Sequence, residues 1–600
     1  MSFHTVEILL DDARPGRECL RRFADPLAIV QASEPHLVNA ALHILENARR
    51  AGKYVAGYFS YEMGYVLEPR LRPLLPDQRD VPLLWFGIFD FCEQFEGAAA
   101  NAVLASRAKG RAYGGPLDHE WNGSAYADRF ARVHDLIEAG DIYQANLSFR
   151  SRFSAIGDPM ALYLELRKQS EVAHGAFIDD GIRHILSLSP ELFFAVSRDG
   201  EISTKPMKGT AARGRNPMDD MVARTQLQGS EKDRAENLMI VDLLRNDLGR
   251  VAETGSVTVG DLFAIETFPT VHQMVSTVRA QLKPETTIGT LIHALFPCGS
   301  VTGTPKIRAM EIIRELEQSP RGVYCGAVGY FAPDGSAEFN VAIRTLTING
   351  DRGALGIGGA VVHDSDMKSE YEECLLKARY YNATRKTFEL IETLRYTPGE
   401  GFVRQALHLE RMALSAAEFH IPFDATRALR LMEETVSGAV SALRVRLALR
   451  EDGTFSCTNV PISSATPVLW RYALSPVPMP SDDFLLRHKT SWREVYESEF
   501  ARVGECDEVL FINEHGRLTE GSRTNIFLRR DGKLLTPPLR DGLLNGCLRR
   551  ALIAEGKCEE AELYPRDLET GDELLLGNSL RGLIRAVPAQ SSKVCAMGGC

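Results

Sequence analysis

The sequence predicts a mixed α+β protein whose sheets are largely antiparallel, and three features carry that expectation. Five Asp-Gly or Asn-Gly dipeptides, Asp199-Gly200, Asp334-Gly335, Asn349-Gly350, Asp452-Gly453 and Asp531-Gly532, each lie between alternating or apolar runs. Such dipeptides accept the left-handed backbone of a tight hairpin at little steric cost. The run Phe339 to Leu346 reads as one of the strands. Between these signals lie segments of helical periodicity, Glu231 to Arg250 and Glu370 to Lys386. Finally, 600 residues exceed what one hydrophobic core supports. A boundary is expected near Lys386, where the strand-like Phe388 to Tyr396 is followed by Thr397-Pro398-Gly399-Glu400-Gly401, giving domains 1–385 and 386–600.

Composition excludes several classes of function. With 44% apolar and 25% charged residues the chain is an ordinary globular protein, and a formal charge of −11 disfavours nucleic acid or an anionic membrane as partner. An anionic small substrate must therefore be met by local cations or a metal. Met1 to Glu7 has no basic region leading into an apolar core, and no apolar run reaches about 18 residues. A cytoplasmic protein with no membrane partner is expected. Eleven cysteines without a C-x-x-C pair read as reduced thiols.

The chemistry-bearing residues begin with Lys208, in Thr204-Lys205-Pro206-Met207-Lys208-Gly209-Thr210. Free lysine has a pKa of about 10.4, so roughly one molecule in a few thousand is nucleophilic at neutral pH unless burial or a nearby cation lowers it. Lys205 and Arg213 are the cations expected to do so. Taken locally, the run also reads as a solvated Pro/Gly-bounded turn. Asp233 and Glu236 share one helical face, and Glu370 and Glu373 repeat the spacing. Such pairs repel unless a hard divalent cation joins them, and oxygen-only ligands suit magnesium. The other reading is acids that favour the helix macrodipole. Phe296 to Lys306 is a Gly/Ser/Thr loop opening a helix at Ile307 to Leu316, where backbone N–H groups can receive a carboxylate or phosphate. Downstream stand Tyr324, Arg344 on a strand, and Gly356-Ile357-Gly358-Gly359-Ala360.

In this order the elements from about Asp141 to Arg379 resemble the chorismate-utilising enzymes, the family of anthranilate synthase component I, isochorismate synthase and aminodeoxychorismate synthase component I. The resemblance implies a first domain built as a chorismate-binding antiparallel sandwich flanked by helices. The segment before residue 120 matches more weakly and is expected to complete the sheets. It also implies Glu191 beside chorismate, with substrate contacts from Ser300, Tyr324, Arg344, Gly358 and Lys306. Magnesium would be held directly by Glu236 and Glu373, with Asp233 and Glu370 acting through water. Lys208 marks the aminodeoxychorismate synthase branch, since similar anthranilate synthases have alanine there. On that branch Lys208 adds at ring C2 as the C4 hydroxyl departs, Glu191 is the general acid or base, and ammonia adds at C4 and expels the lysine. Departures from the family pattern are Gln273 for a frequent histidine, with His272 adjacent, and Ala360 for a frequent glycine. No Gly-x-Cys-x-Gly nucleophile elbow is present. Ammonia is therefore expected from a separate glutamine amidotransferase subunit.

After residue 386 the features change. Arg411 sits in the amphipathic run His408 to Ala416, Lys489 in His488-Lys489-Thr490-Ser491-Trp492, and Glu520 in a turn between strands. Gly546-Cys547-Leu548 opens a helix, and Asn578-Ser579-Leu580-Arg581-Gly582 follows. Each is ordinary alone. Together, from Glu392 to about Val587, they resemble the fold-type IV pyridoxal-phosphate enzymes, and most closely the branch containing aminodeoxychorismate lyase. The resemblance implies a two-lobed α/β module in which Lys489 carries pyridoxal 5'-phosphate and Glu520 pairs with its pyridine nitrogen. Arg411, Ser579 and the backbone of Gly546, Cys547 and Leu548 would bind the cofactor, and Arg581 the substrate. Here Gly546-Cys547-Leu548 replaces the usual Gly-Ile-Thr and loses a hydroxyl donor.

The expectation is a fused enzyme of folate biosynthesis that aminates chorismate and then eliminates pyruvate to give 4-aminobenzoate. Rivals are an anthranilate synthase-like first half, an amino-acid transaminase-like second half of the D- or branched-chain kind, and a non-catalytic chorismate-binding scaffold. Homodimerisation through the second module is left open.

Overall fold

The computed structural model describes residues 6–170, 172–267, 271–462, 469–570 and 573–589. The start of the chain to Thr5, and the tail with Cys595 and Cys600, lie outside them. Packing divides the chain into two compact units. The first is Met1–Lys109, Pro116–Ala155 and Pro159–Arg385, and the second is Gly110–Gly115, Ile156–Asp158 and Lys386–Cys600.

All five dipeptides sit at hairpin turns between adjacent antiparallel strands. Each glycine has positive φ, from 60° at Gly350 to 90° at Gly335; at Asp531-Gly532 both residues are left-handed. That is the conformation in which the turn's twist matches the strands. The first three hairpins belong to two antiparallel sheets in the first unit. One runs Gly303–Thr304, Gln144–Gly157, Arg352–Val361, Thr345–Asn349, His184–Ser189, His174–Asp179, Glu7–Asp12, Cys19–Ala24, Glu93–Glu96. The other runs Met207–Ala212, Val271–Gln281, Glu201–Lys205, Leu192–Val196, Ala337–Val341, Ala327–Phe331, Tyr54–Phe59, Leu84–Phe89, Ala28–Ala32. The segment before residue 120 thus supplies strands to both.

One core joins the sheets through Ile8, Phe23, Tyr58, Phe89, Ile178, Ile185 and Val328. Outside the second sheet, helices Val38–Arg50 and Ile288–Leu295 bury Leu42, Leu45, Ile292 and Leu295 against Val55, Phe59 and Phe339. Outside the first, Phe149 packs on Trp121 and on Tyr371 of helix Met367–Lys377. The result is a sandwich flanked by helices, whose central strands, such as Leu84–Phe89 and Ala327–Phe331, are buried on two faces. Two readings change. The run Phe339 to Leu346 breaks at 342–344, and the helix read as Glu370 to Lys386 is two, Met367–Lys377 and Arg379–Thr384.

The second unit has two lobes. The smaller is an antiparallel sheet ordered Gly401–Phe402, Glu389–Thr397, Leu443–Arg450, Phe455–Pro461, covered by helices Gln405–Glu418 and Ala425–Val436. The larger is a mixed sheet in which Leu469–Leu474 pairs in parallel with Glu508–Ile512 and Gly582–Pro588. Among the described residues no helix is long and apolar enough to cross a membrane, and the nine described cysteines are free thiols.

Candidate active sites

Lys208 lies on strand Met207–Ala212, whose register with Val271–Gln281 slips between Met207 and Thr210. Gly209, inside the slip, has φ +87°, and a Cβ there would meet the Asp233 side chain at 2.9 Å. The irregularity thus brings the Lys208 strand against helix Glu231–Gly249, capped by Ser230, and lays Asp233 beside it. The Lys208 ammonium, its side chain 15% exposed, is 3.8 Å from Glu236. Burial lowers its pKa; Glu236, Glu191 and Glu373 oppose that shift and Lys377 assists it. The cations expected in this role are engaged elsewhere. Lys205 pairs with Glu266, and Arg213 makes a two-point ion pair with Asp220. Lys377 instead comes from 169 residues away in sequence, bonding Glu373 at 3.0 Å and the Gly358 carbonyl at 2.9 Å.

Three acids therefore act on one lysine, Glu236 and Glu373 from two helices and Glu191 from the position before strand Leu192–Val196. Among the described residues Asp233, Glu236, Glu370 and Glu373 do not gather three ligand atoms within 4.8 Å of one another. Their donors are all oxygen, the ligand type that a hard cation such as magnesium takes. Among the described residues the compact group of this kind is Glu392, His408 and Cys547, in the second unit, where Arg411 pairs with Glu392.

Glu191 is buried. Burial pushes its pKa up to about 7, opposed by the Ser300 hydroxyl and the Lys208 charge. At neutral pH it can both give and take a proton. Below pH 7 it holds its proton and can protonate a departing hydroxyl; above, it can only accept. Chorismate consumption is expected to lose its fall in rate above about pH 7 in Glu191→Gln, with turnover down on the order of 10²-fold, as read from pH profiles.

Arg344 is not on a strand. It sits at φ 50° in the break before Thr345–Asn349, a left-handed conformation that turns it out of the ladder. Its guanidinium has no acceptor among the described residues, and desolvation lowers its pKa. A withdrawn guanidinium without a counter-charge is suited to an anionic group. Tyr324 donates to or accepts from Ser148 at 3.4 Å, and its ring lies on Gly356, where a Cβ would intrude to 2.2 Å. Lys306 is a correction: its ammonium is bound to Asp247 at 2.6 Å and the Leu295 carbonyl at 3.0 Å, so it anchors the loop.

Sequence reading missed Gln144. It pairs in register with Thr304, and alternation along its strand puts it on the face of Ser148 and Tyr324, opposite Phe149. Both amide atoms, and the Thr304 hydroxyl beside them, are buried without a partner. An unsatisfied buried group costs roughly 1–3 kcal/mol. Gln144→Met is therefore expected to raise unfolding free energy by about 1 kcal/mol while cutting chorismate turnover at least ~10-fold, checked by denaturant titration beside the assay. No local signal marks it, because only the fold shows that its amide is left unpaired.

In the second unit Lys489, Glu520, Arg411, Gly546, Cys547 and Ser579 line one cavity of about 280 Å³. Burial, with help from Arg493 and Arg411, brings Lys489 down to about 8. Glu520 is buried and accepts from the Tyr496 hydroxyl at 2.6 Å and Leu544 N–H at 3.1 Å; burial raises its pKa. Arg411 meets buried Glu392 at 2.8 and 2.6 Å, which fixes the plane of its guanidinium, and its remaining nitrogen bonds the Asn545 carbonyl at 3.3 Å. Glu392, held by Arg411 and His408, has its pKa lowered to about 2 against its burial. His408 bridges Glu392 at 2.5 Å and Ser579 at 2.9 Å. Glu392 and His408 were not legible as site residues. Gly546 leaves room that a Cβ would close, 2.0 Å from Asn525 Oδ1, and helix Cys547–Ala554 starts there. Leu548 is buried in its first turn. A lysine, a facing carboxylate and a helix mouth beside an oriented arginine fit a flat pyridine ring with a phosphate arm.

Residues 13–382 match the family model described as chorismate binding enzyme, and residues 389–587 the one described as amino-transferase class IV. Aminodeoxychorismate synthase of Streptomyces griseus is 44% identical over 264 residues, covering 44% of this chain and 36% of that protein. Aminodeoxychorismate synthase component 1 of Escherichia coli K12 is 44% identical over 248 residues, covering 41% and 54%. The crystal structure of anthranilate synthase component I from Streptococcus pneumoniae TIGR4 has a TM-score of 0.53 and 28% identity, covering 62% of this chain and 93% of that one. The chain spans between about a third and a half of the length of these curated relatives.

Proposed function

Because the chain belongs to the chorismate binding enzyme family and carries a class IV amino-transferase module, we propose that it makes 4-aminobenzoate from chorismate in two steps. In the first, the Lys208 amine forms a bond to ring C2 while the C4 hydroxyl leaves with a proton from Glu191. Ammonia then bonds to C4, the C2–nitrogen bond breaks, and Lys208 is restored, giving 4-amino-4-deoxychorismate and water. Arg344 and Tyr324 receive the enolpyruvyl carboxylate. Glu236 and Glu373 would hold magnesium, with Asp233 and Glu370 behind them, and the ion would draw electrons toward the ring carboxylate. The observation that carries this step is a buried lysine ringed by Glu191, Glu236 and Glu373.

In the second step the amine enters the Lys489 cavity. Glu520 would pair with the cofactor's ring nitrogen, while Arg411, Ser579 and the Gly546 to Leu548 turn would hold its phosphate. Pyridoxal phosphate supplies an electron sink when bound. Lys489, with a pKa near 8, removes the proton at ring C4, the C3–oxygen bond breaks, and pyruvate leaves as the ring becomes aromatic. The ammonia would come from a glutamine amidotransferase partner, and the free thiols fit a reducing cytoplasm.

The test is incubation of the purified chain with chorismate, a magnesium salt and an ammonium salt, followed by identification of the aromatic product. 4-Aminobenzoate with one pyruvate supports the reading. An ortho-aminated product overturns the first step, and an aminated intermediate that persists in wild-type enzyme overturns the second.

A further inference from the structure

The cavity of the second unit is lined by two sets of groups. Lys489 and Gly546, with the buried Glu520 and Arg411, are the groups that fit the cofactor. Five further arginines line it: Arg111, Arg444, Arg493, Arg523 and Arg581. Two of these are already committed. Arg111 pairs with Asp483 at 3.1 Å, and Arg493 donates to the Ser522 carbonyl and covers the Tyr496 ring. The guanidiniums of Arg444, Arg523 and Arg581 have no carboxylate partner among the described residues, and all three residues are exposed. Arg523 lies over the Phe500 ring at 4.2 Å and Arg581 over the Trp470 ring at 5.7 Å, contacts that position a cation without neutralising it. Besides Glu520, the lining carboxylate is Asp507, which accepts from the Arg471 backbone N–H at 2.8 Å.

These three cations sit on two walls. The turns carrying Arg523 and Arg581 are joined, because Asn578 donates to the Arg523 carbonyl at 3.2 Å and accepts from Arg581 N–H at 3.0 Å. Arg444 belongs to the smaller lobe, on strand Leu443–Arg450, where Val445 and Leu447 are buried in that lobe. Alternation turns Arg444 to the opposite face, toward the cavity it lines with Thr393. An α-amino acid with an apolar side chain offers one carboxylate and would leave one wall uncompensated. The chorismate-derived amine offers two, one on the ring and one on the enolpyruvyl arm.

We propose that Arg444 on one wall, and Arg523 with Arg581 on the other, each receive one carboxylate of a dianionic substrate, and that this division selects the chorismate-derived amine over a monocarboxylic amino acid. The inference rests on the reading of this unit as a lyase and assigns Arg444 and Arg523 as its specificity determinants. The test measures pyruvate release from 4-amino-4-deoxychorismate by wild type, Arg444→Gln, Arg523→Gln and the double variant, each with its cofactor absorbance recorded as a check on folding. Each single change is expected to raise KM about 10-fold and the pair about 10²-fold, with kcat within about 3-fold and the absorbance unchanged. Arg444→Lys and Arg523→Lys should recover part of the loss. Pyruvate release with KM unmoved in the double variant overturns the inference alone. Wild-type enzyme that consumes D-alanine with 2-oxoglutarate, but releases no pyruvate from the amine, overturns the lyase reading and this inference with it.

Discussion

Lys208→Ala is expected to lower formation of the para-aminated product on the order of 10³-fold or more, because covalent attack at C2 has no substitute among its neighbours. Glu191, Glu236 and Glu373, which act on it, are carboxyls. Two other amines are close to its acids: Lys377, bound to Glu373 and the Gly358 carbonyl, and Lys232, 4.0 Å from Glu236 on its own helix. With ammonium withheld and magnesium present, the intact wild-type chain should gain the mass of chorismate less one water, and the variant should not. Activity that survives the substitution with ammonium scarce would show that nitrogen reaches C4 without the lysine. The fold itself should tolerate the change, since Lys208 makes no closer ion contact than 3.8 Å. A collapse in stability would therefore count against the assay, and denaturant unfolding run in parallel detects it.

Lys489→Ala is expected to stop the chain after its first reaction. 4-Amino-4-deoxychorismate should accumulate, with pyruvate release down on the order of 10³-fold. Borohydride treatment should fix cofactor on the wild-type chain and none on the variant. The two halves can thus be separated in one polypeptide: Lys208→Ala should retain full activity on supplied 4-amino-4-deoxychorismate, and Lys489→Ala should consume chorismate at the wild-type rate. An unchanged yield of 4-aminobenzoate from Lys489→Ala would refute the lyase assignment.

The parts of this molecule that could be read along the chain are those set by neighbours in sequence. Asp531-Gly532 is a hairpin because both residues tolerate positive φ, a property of the dipeptide itself. Glu231 to Gly249 is a helix because Ser230 caps it and its acids fall in the first turn. Asp233 with Glu236, and Glu370 with Glu373, share faces by helical geometry alone. The misreadings have the opposite origin. Arg344 was placed on a strand because its neighbours favour one, yet the chain leaves the ladder there with Arg344 left-handed. Lys306 stands in an anion-receiving loop, but Asp247, 59 residues earlier, takes its charge.

Sequence by itself therefore determined the chemical inventory and the local conformations: which nucleophiles, acids and glycines exist, and which short segments turn, pair or coil. Tertiary structure alone decided how those groups are charged and oriented. It chose Lys377 over Lys205 and Arg213 as the cation beside Lys208, left the Gln144 amide unpaired, clamped Arg411 with Glu392, and joined Gly110–Gly115 and Ile156–Asp158 to the second unit. The physical reason is range. Backbone preference acts over a few residues, whereas desolvation and charge pairing act through space between residues the chain brings together only when folded.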